Sequence, residues 1–315
     1  MREERRETGA GMRRISAEEY RERFPDSGEA DTGEVRLMLA ERPLLPERRA
    51  VSHKYSYGRA LIIGGSTGFS GAPVLAANAC ERSGAGLTHL MVPESIYTIA
   101  ATKCDGAVVT PLPATDHGTI RRDALKTILP ALKKADVCGI GPGLGLDEDA
   151  QSIVGEVVRN ASCPLVLDAD ALTICGRNMR LLKDCGVPLI LTPHEGEFRR
   201  LGGDLSKGRL AGAIRFTKEY GNVILVLKGF GTLVCEGGSV SVNPTGGPAM
   251  AKGGSGDVLC GIICALAAQG FDPAYAARSG VYIHGDAGDR AAERFGEYSV
   301  RPSDIIESIW LEAEN

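Results

Sequence analysis

The chain has 315 residues, with 36 Lys+Arg against 40 Asp+Glu and a formal net charge of -4. That length allows one large domain or two small ones, and the slightly acidic balance excludes a nucleic-acid binder working through a basic surface. Hydrophobic residues reach 43%, which excludes a disordered chain, but the 41 glycines are near twice the usual ~7% and ask for a backbone explanation such as phosphate-cradling loops.

Nearly half of the first 50 residues are charged, too many for a packed core of their own. Residues 15–24 read as a short helix, with Ser16 as N-cap and Glu19 as its capping-box partner. Residues 43–49 read as a linker. The expectation is therefore a partly disordered extension over 1–50 and one catalytic domain over 51–315. The charged start carries no apolar segment of the kind that directs secretion. The longest apolar run, 258–268, is too short for a membrane helix. The nine cysteines are scattered with no CxxC pair, which predicts buried thiols, no zinc site and a cytoplasmic location.

From residue 60 apolar runs alternate with amphipathic stretches. Strands are expected at 60–63, 87–92, 108–111, 136–140, 164–168, 187–191, 223–228 and 232–236. Helices are expected over 72–83, 123–134, 148–160, 256–269, 273–294 and 303–312. This order predicts an α/β fold with a mainly parallel sheet and helices on both faces. Ligands of such folds bind at the carboxyl ends of the strands.

Six glycine-rich or polar segments follow strands or precede helices. Residues 64–71 (GGSTGFSG) lead into a helix near Ala72; they lack the P-loop lysine and the GxGxxG spacing, and read as a tight turn or a ligand floor. Residues 139–145 (GIGPGLG) keep a loop free of side chains around Gly143. Asp168 and Asp170 (LDADAL) could hold Mg²⁺ or cap a helix. Residues 191–198 (LTPHEGEF) place His194, Glu195 and Glu197 at a strand end. Lys228, Gly229, Phe230, Gly231 and Thr232 (KGFGT) read as a phosphate-gripping loop or a plain β-hairpin. The fullest signal is NPTGGPAMAKGGSGDVLCG, where small residues precede an apolar helix. Amides and a helix N-terminus there suit an anion, and Asp257 could act as a general base or simply cap the helix.

Taken in order with His53-Lys54, these segments resemble the ribokinase-like NAD(P)H-hydrate dehydratase family, from about His53 to Trp310. Ser255 stands where threonine is common in that family, and Glu195 where proline is common. The resemblance implies a three-layer α/β/α fold. It implies an ADP-dependent repair reaction that phosphorylates the C6 hydroxyl of hydrated NADH or NADPH and then eliminates phosphate. In this light Asp257 would be the base. Lys228, Gly229, Phe230, Gly231, Thr232 and Gly256 would bind the AMP part of ADP (or ATP). Ala72, Gly143, His194 and Asp257 would contact the hydrated dinucleotide, and Mg²⁺ would offset phosphate charge, with its protein ligands unassigned. A homo-oligomer, up to a tetramer, is also implied. The first 50 residues are too few for an epimerase domain, so the expectation is an epimerase on a separate protein. Neither a nucleic-acid nor a membrane partner is expected. The competing readings are a small-molecule kinase of the same fold, for a sugar or vitamin, and a nucleotide sensor without turnover.

Overall fold

The computed structural model describes residues 12–25, 36–311 and 313. Three short elements come first: β1 (Met12–Arg14), α1 (Ala17–Arg23) and β2 (Arg36–Ala40). Strand–helix alternation then begins with β3 (Arg59–Ile63), α2 (Gly71–Arg82), β4 (Leu87–Pro93), α3 (Tyr97–Lys103) and β5 (Val108–Leu112). It continues through α4 (Leu125–Leu132), β6 (Val137–Ile140), α5 (Glu148–Asn160) and β7 (Leu165–Leu167). Next are α6 (Asp170–Arg177), α7 (Arg180–Asp184), β8 (Leu189–Leu191), α8 (Glu195–Arg200), α9 (Arg209–Glu219) and β9 (Val223–Leu227). The antiparallel strands β10 (Leu233–Glu236) and β11 (Ser239–Val242) precede α10 (Ser255–Ala268), α11 (Pro273–Phe295) and α12 (Pro302–Glu307).

The described strands form one sheet in the order β1-β2-β11-β10-β9-β8-β7-β6-β3-β4-β5. From β9 to β5 every neighbour is parallel. The central strands β3 and β6 to β9 are buried on both faces, so they read as unbroken apolar runs. One face sends Leu61, Ile63, Leu165 and Leu167 into a core with Ile128, Val154, Leu172 and Phe198. The other sends Ala60, Ile62, Val137 and Val166 against Ala76, Cys80, Ile262 and Ile263. The expected α/β/α layering is what this alternation produces. Strand order reverses around β3, which pairs with β4 on one side and β6 on the other. That reversal is the crevice where open α/β sheets bind ligands.

Most expected elements are present within a residue or two. The last helix stops at Glu307 rather than 312. The expected strand 232–236 is β10, and it runs antiparallel to β9 with Leu233 opposite Leu227. Residues 228–232 are therefore a hairpin loop, whatever else they do. All nine cysteines are free, and all but Cys104 are buried. Among the described residues no helix is long and apolar enough to cross a membrane.

In the first 50 residues the expected helix is present as α1, but the described segments pack on the domain rather than forming a separate extension. Strand β2 lies parallel to β11, with Leu37 opposite Val240, and β1 pairs antiparallel with β2. Ile15, Tyr20, Phe24, Leu37 and Leu39 join the same core as the parallel strands. Charge hid this, because a minority of apolar residues at the right period is enough to cover one sheet edge. Ser16 does cap α1, accepting from the Glu19 amide at 3.0 Å. The Glu19 carboxylate is occupied by Arg13 and Arg23. The disorder expected over 1–50 falls, for 1–11 and 26–35, outside the described residues.

A chain truncated of residues 1–40 loses five large apolar side chains, Ile15, Tyr20, Phe24, Leu37 and Leu39, each worth roughly 1.5–3 kcal/mol of burial. We expect a clear drop in Tm and binding of a hydrophobic dye by the truncated chain. An unchanged Tm would show that the sheet closes without its first two strands.

Candidate active site

Strands β6, β7, β8 and β9 are neighbours and end together, so the loops that follow them share one edge. After β7, Asp168 is 2% exposed and its Oδ1 accepts from Thr192 Oγ1 at 2.7 Å and from Lys228 Nζ at 3.0 Å. After β8, Glu197 lies 3.9 Å from the same ammonium. After β9 comes Lys228 itself, whose amide donates to Pro193 O at 2.8 Å. His194 and Lys228 thus form a last parallel bridge beyond the strands.

Helix α10 begins at this edge. A Cβ placed on Gly256 would lie 3.1 Å from Lys228 Nζ, so the ammonium sits against the first turn of the helix. Asp257 is in that turn. Burial first, and then the charge of Asp168, push its carboxyl up to about 7, while Lys228 pulls the other way. Burial on its own would lower the Lys228 ammonium, but Asp168, Glu197 and Asp257 outweigh it and hold the group charged. The result is a carboxylate near its midpoint at neutral pH, beside a fixed cation and the free amides of a helix start. A carboxylate so poised can take a proton from a hydroxyl while the cation and amides hold an anion.

The second group of expected residues lies across the crevice between β3 and β6. A Cβ on Gly143 would be 3.4 Å from Ala72 Cβ and 2.8 Å from Phe69 Cβ, so Ala72 and Gly143 are brought together. Ser66 Oγ donates to Gly143 O at 2.8 Å and fixes one loop on the other. Gly141 has φ +126, and a Cβ there would lie 1.9 Å from Asp168 O. Only glycine lets this loop close on the Asp168 turn. Asp170 accepts from the Gly145 amide at 2.9 Å, and Ala169 between the two aspartates is held at φ +48. A non-glycine residue there costs on the order of 1–3 kcal/mol. The surrounding contacts of Asp168 and Asp170 hold it in place. Neither aspartate N-caps α6; Ala169 occupies that position.

Three expected residues turn part of their chemistry inward. His194 Nδ1 accepts from the Gly196 amide at 2.9 Å and the Glu197 amide at 3.3 Å, so it caps α8. That leaves Nε2, 3.6 Å from Glu197, for a ligand. Thr232 Oγ1 donates to Gly229 O at 2.9 Å and closes its own loop. The Phe230 ring is 66% exposed, while its carbonyl is held by Arg209.

Sequence reading missed Arg209 and His284. Arg209 is buried at the start of α9 and donates to Phe230 O at 2.6 Å and Leu227 O at 3.0 Å. Burial lowers its guanidinium from the ordinary value. His284, on α11, lies 3.3 Å from Ser255 Oγ behind the helix start. Burial, and then Lys228, press it down to about 4, so it is neutral and supports Ser255 without adding charge. Only a small-residue stretch in α11 hinted at close packing there, and nothing local marked Arg209.

The chain matches the NAD(P)H-hydrate dehydratase family over residues 60–310. It is 42% identical over 281 residues to the bifunctional NAD(P)H-hydrate repair enzyme Nnr of Moorella thermoacetica, covering 87% of this chain and 53% of that one. The chain thus spans about half the length of the curated relatives it matches. Among solved structures it is similar to a ribokinase-like superfamily protein of Enterococcus faecalis, 30% identical with a TM-score of 0.75, covering 84% of this chain and 90% of that one. It is also similar to the ADP/ATP-dependent NAD(P)H-hydrate dehydratase of Bacillus subtilis, co-crystallised with ATP/Mg²⁺. That likeness is 30% identical with a TM-score of 0.70, over 84% of this chain and 92% of that one. The fold is ribokinase-like, as the order of segments implied.

Asp257 carries a stability prediction. A folded carboxyl that keeps its proton to about pH 7, against ~3.9 when unfolded, costs stability as pH rises from about 4 through 7. Asp257→Asn should therefore be more stable than the parent at pH 8, by on the order of 4 kcal/mol in denaturant unfolding. The difference should vanish near pH 4. Equal stability at both pH values would mean that Asp257 is not held protonated.

Proposed function

The chain belongs to the NAD(P)H-hydrate dehydratase family, and we propose that it repairs hydrated NADH and NADPH by phosphorylation and elimination. The observation that carries this reading is the convergence of Asp257, Lys228 and Gly256 at the start of α10. Asp257 takes the proton of the C6 hydroxyl as its oxygen attacks the terminal phosphorus of ADP or ATP. The bond from that phosphorus to the nucleotide oxygen breaks, leaving AMP or ADP. The ring nitrogen lone pair then expels phosphate from C6, and loss of a C5 proton restores the reduced ring. Hydroxide itself is a poor leaving group, which is why a nucleotide is consumed.

In this reading the α10 amides and Lys228 hold the phosphate being transferred. Lys228, Gly229, Phe230, Gly231, Thr232 and Gly256 bind the AMP part of the donor. Ala72, Gly143 and His194 face the damaged dinucleotide across the β3–β6 crevice, with Asp257 between the two. The same edge thus serves two nucleotides at once, which suits glycine loops after several strands. Among the described residues no three ligating side chains gather into a metal cage. A Mg²⁺ carried mostly by phosphate oxygens and water belongs to the same proposal, and Asp168 and Glu197 beside Lys228 would be its protein donors. When bound, such an ion would spread the phosphate charge during transfer. An epimerase acting on the same hydrated dinucleotides, and assembly of this chain as a homo-oligomer, belong to the same proposal.

The test is an assay of hydrated NADH with Mg²⁺ and either ADP or ATP. Recovery of reduced-nicotinamide absorbance with release of phosphate supports the reading. A stable phosphorylated product with no recovered NADH would replace it with a small-molecule kinase. Asp257→Asn should lower kcat by about 10²–10⁴-fold and keep nucleotide affinity within a few-fold. Nucleotide binding by the parent chain without turnover would favour a sensor.

Activity should rise with pH through about 7 as Asp257 ionises. Removing the nearby cation in Lys228→Met should move that rise to higher pH by on the order of one unit. An unmoved profile would separate the titrating group from Lys228.

A further inference from the structure

The loop of residues 228–232 is gripped from two sides. On one side Arg209 donates to Phe230 O and Leu227 O, and its Nε lies 3.4 Å from Glu195. On the other side stands Phe24, at the end of α1 and 5% exposed. A Cβ on Gly231 would meet Phe24 Cδ1 at 2.5 Å, with Gly231 at φ +60. The ring of Phe24 therefore rests directly on the loop backbone, where a side chain would block it. Its centroid is also 5.7 Å from that of Phe230, at an interplanar angle of 58°. Phe230 keeps its ring 66% exposed, supported at one edge by Phe24. Behind Phe24 stands Tyr20, 5.6 Å away between centroids and fully buried.

We propose that Phe24 is a positioning residue for the nucleotide donor, so that the N-terminal arm forms part of the nucleotide site. This rests on the reading of 228–232 as the donor loop. A five-residue hairpin loop with two glycines has many conformations to lose on binding. Pressed between Phe24 and Arg209, it has lost them beforehand. A ligand that meets a preorganised loop binds more tightly by the ordering cost it is spared. The Phe24 side chain makes this contact from a part of the chain that shares no strand with the loop. Its effect should therefore fall on donor affinity rather than on the chemical step.

The experiment uses the full chain, with Phe24→Ala, Phe24→Leu as the conservative variant, and Leu37→Ala as a control. Leu37 is buried in the same arm, on β2, and pairs with β11 rather than with the loop. ADP and ATP affinity with Mg²⁺ is measured by calorimetry, beside Tm and the kinetic constants of the repair assay. Phe24→Ala should weaken donor binding and raise donor KM by about 5–20-fold. Its kcat and its KM for the hydrated dinucleotide should stay within about twofold of the parent. Phe24→Leu should recover most of the affinity. Leu37→Ala should lower Tm without moving donor affinity. Donor affinity unchanged in Phe24→Ala overturns the proposal, and so does an equal loss in Leu37→Ala. If Phe24→Ala does not fold, Phe24→Val carries the same comparison. A parent chain that binds neither ADP nor ATP would instead defeat the functional reading beneath it.

Discussion

One ammonium group holds this site together. Lys228 Nζ stands 3.0 Å from Asp168 and 3.9 Å from Glu197, and its charge also reaches Asp257. Without it three carboxylates would repel one another in a poorly solvated crevice with no cation between them. Each member comes from a different place: Asp168 from the end of β7, Glu197 from the helix after β8, Lys228 from the end of β9 and Asp257 from α10. Neighbouring strands lie ~4.8 Å apart, so parallel register brings Asp168 and the helix that carries Glu197 within reach of the Lys228 ammonium. The same register sets the acidity of Asp257, because Lys228 opposes what burial and Asp168 impose.

The parallel strands were legible because most are short apolar runs that stop at or beside a glycine, a proline or a charged residue. The loops after them were legible for the same reason. A ligand edge on an open parallel sheet is where glycine and ionisable residues stop being interchangeable with others. What the loops do in detail was less visible. Thr232 and His194 read as groups turned toward a ligand, yet the Thr232 hydroxyl closes its own loop and His194 Nδ1 caps α8. Short polar side chains beside free amides satisfy the backbone first.

Other parts could not be read locally. Arg209 follows Gly208 at a helix start, and its partners Leu227 and Phe230 reach it only through the fold. Helices such as α7 and α8, of five and six residues, are too short to show a helical period. The first strands were hidden by composition, since Arg36 precedes Leu37 and Glu41 follows Ala40. Glycine, the outlier of composition, has a second use besides the loops. Gly261 on α10 would place a Cβ 2.1 Å from Ala76 O, so small residues let α10 lie tightly on α2. That packing holds the start of α10 at the sheet edge.

The pairing of β2 with β11 sets an order of assembly. Arg36 to Leu39 find their partners only at Ser239 to Val242, some two hundred residues later in the chain. On a ribosome, this earlier segment must wait unpaired until most of the sheet has been made. Contacts so distant in sequence are slow to form. The parallel strands can build on neighbours closer in the chain, whereas Phe24 reaches the 228–232 loop only when the arm docks. Loop and arm therefore mature together, late, and a nascent chain stalled before residue 239 would hold the parallel strands beside a 228–232 loop that still lacks its support from Phe24.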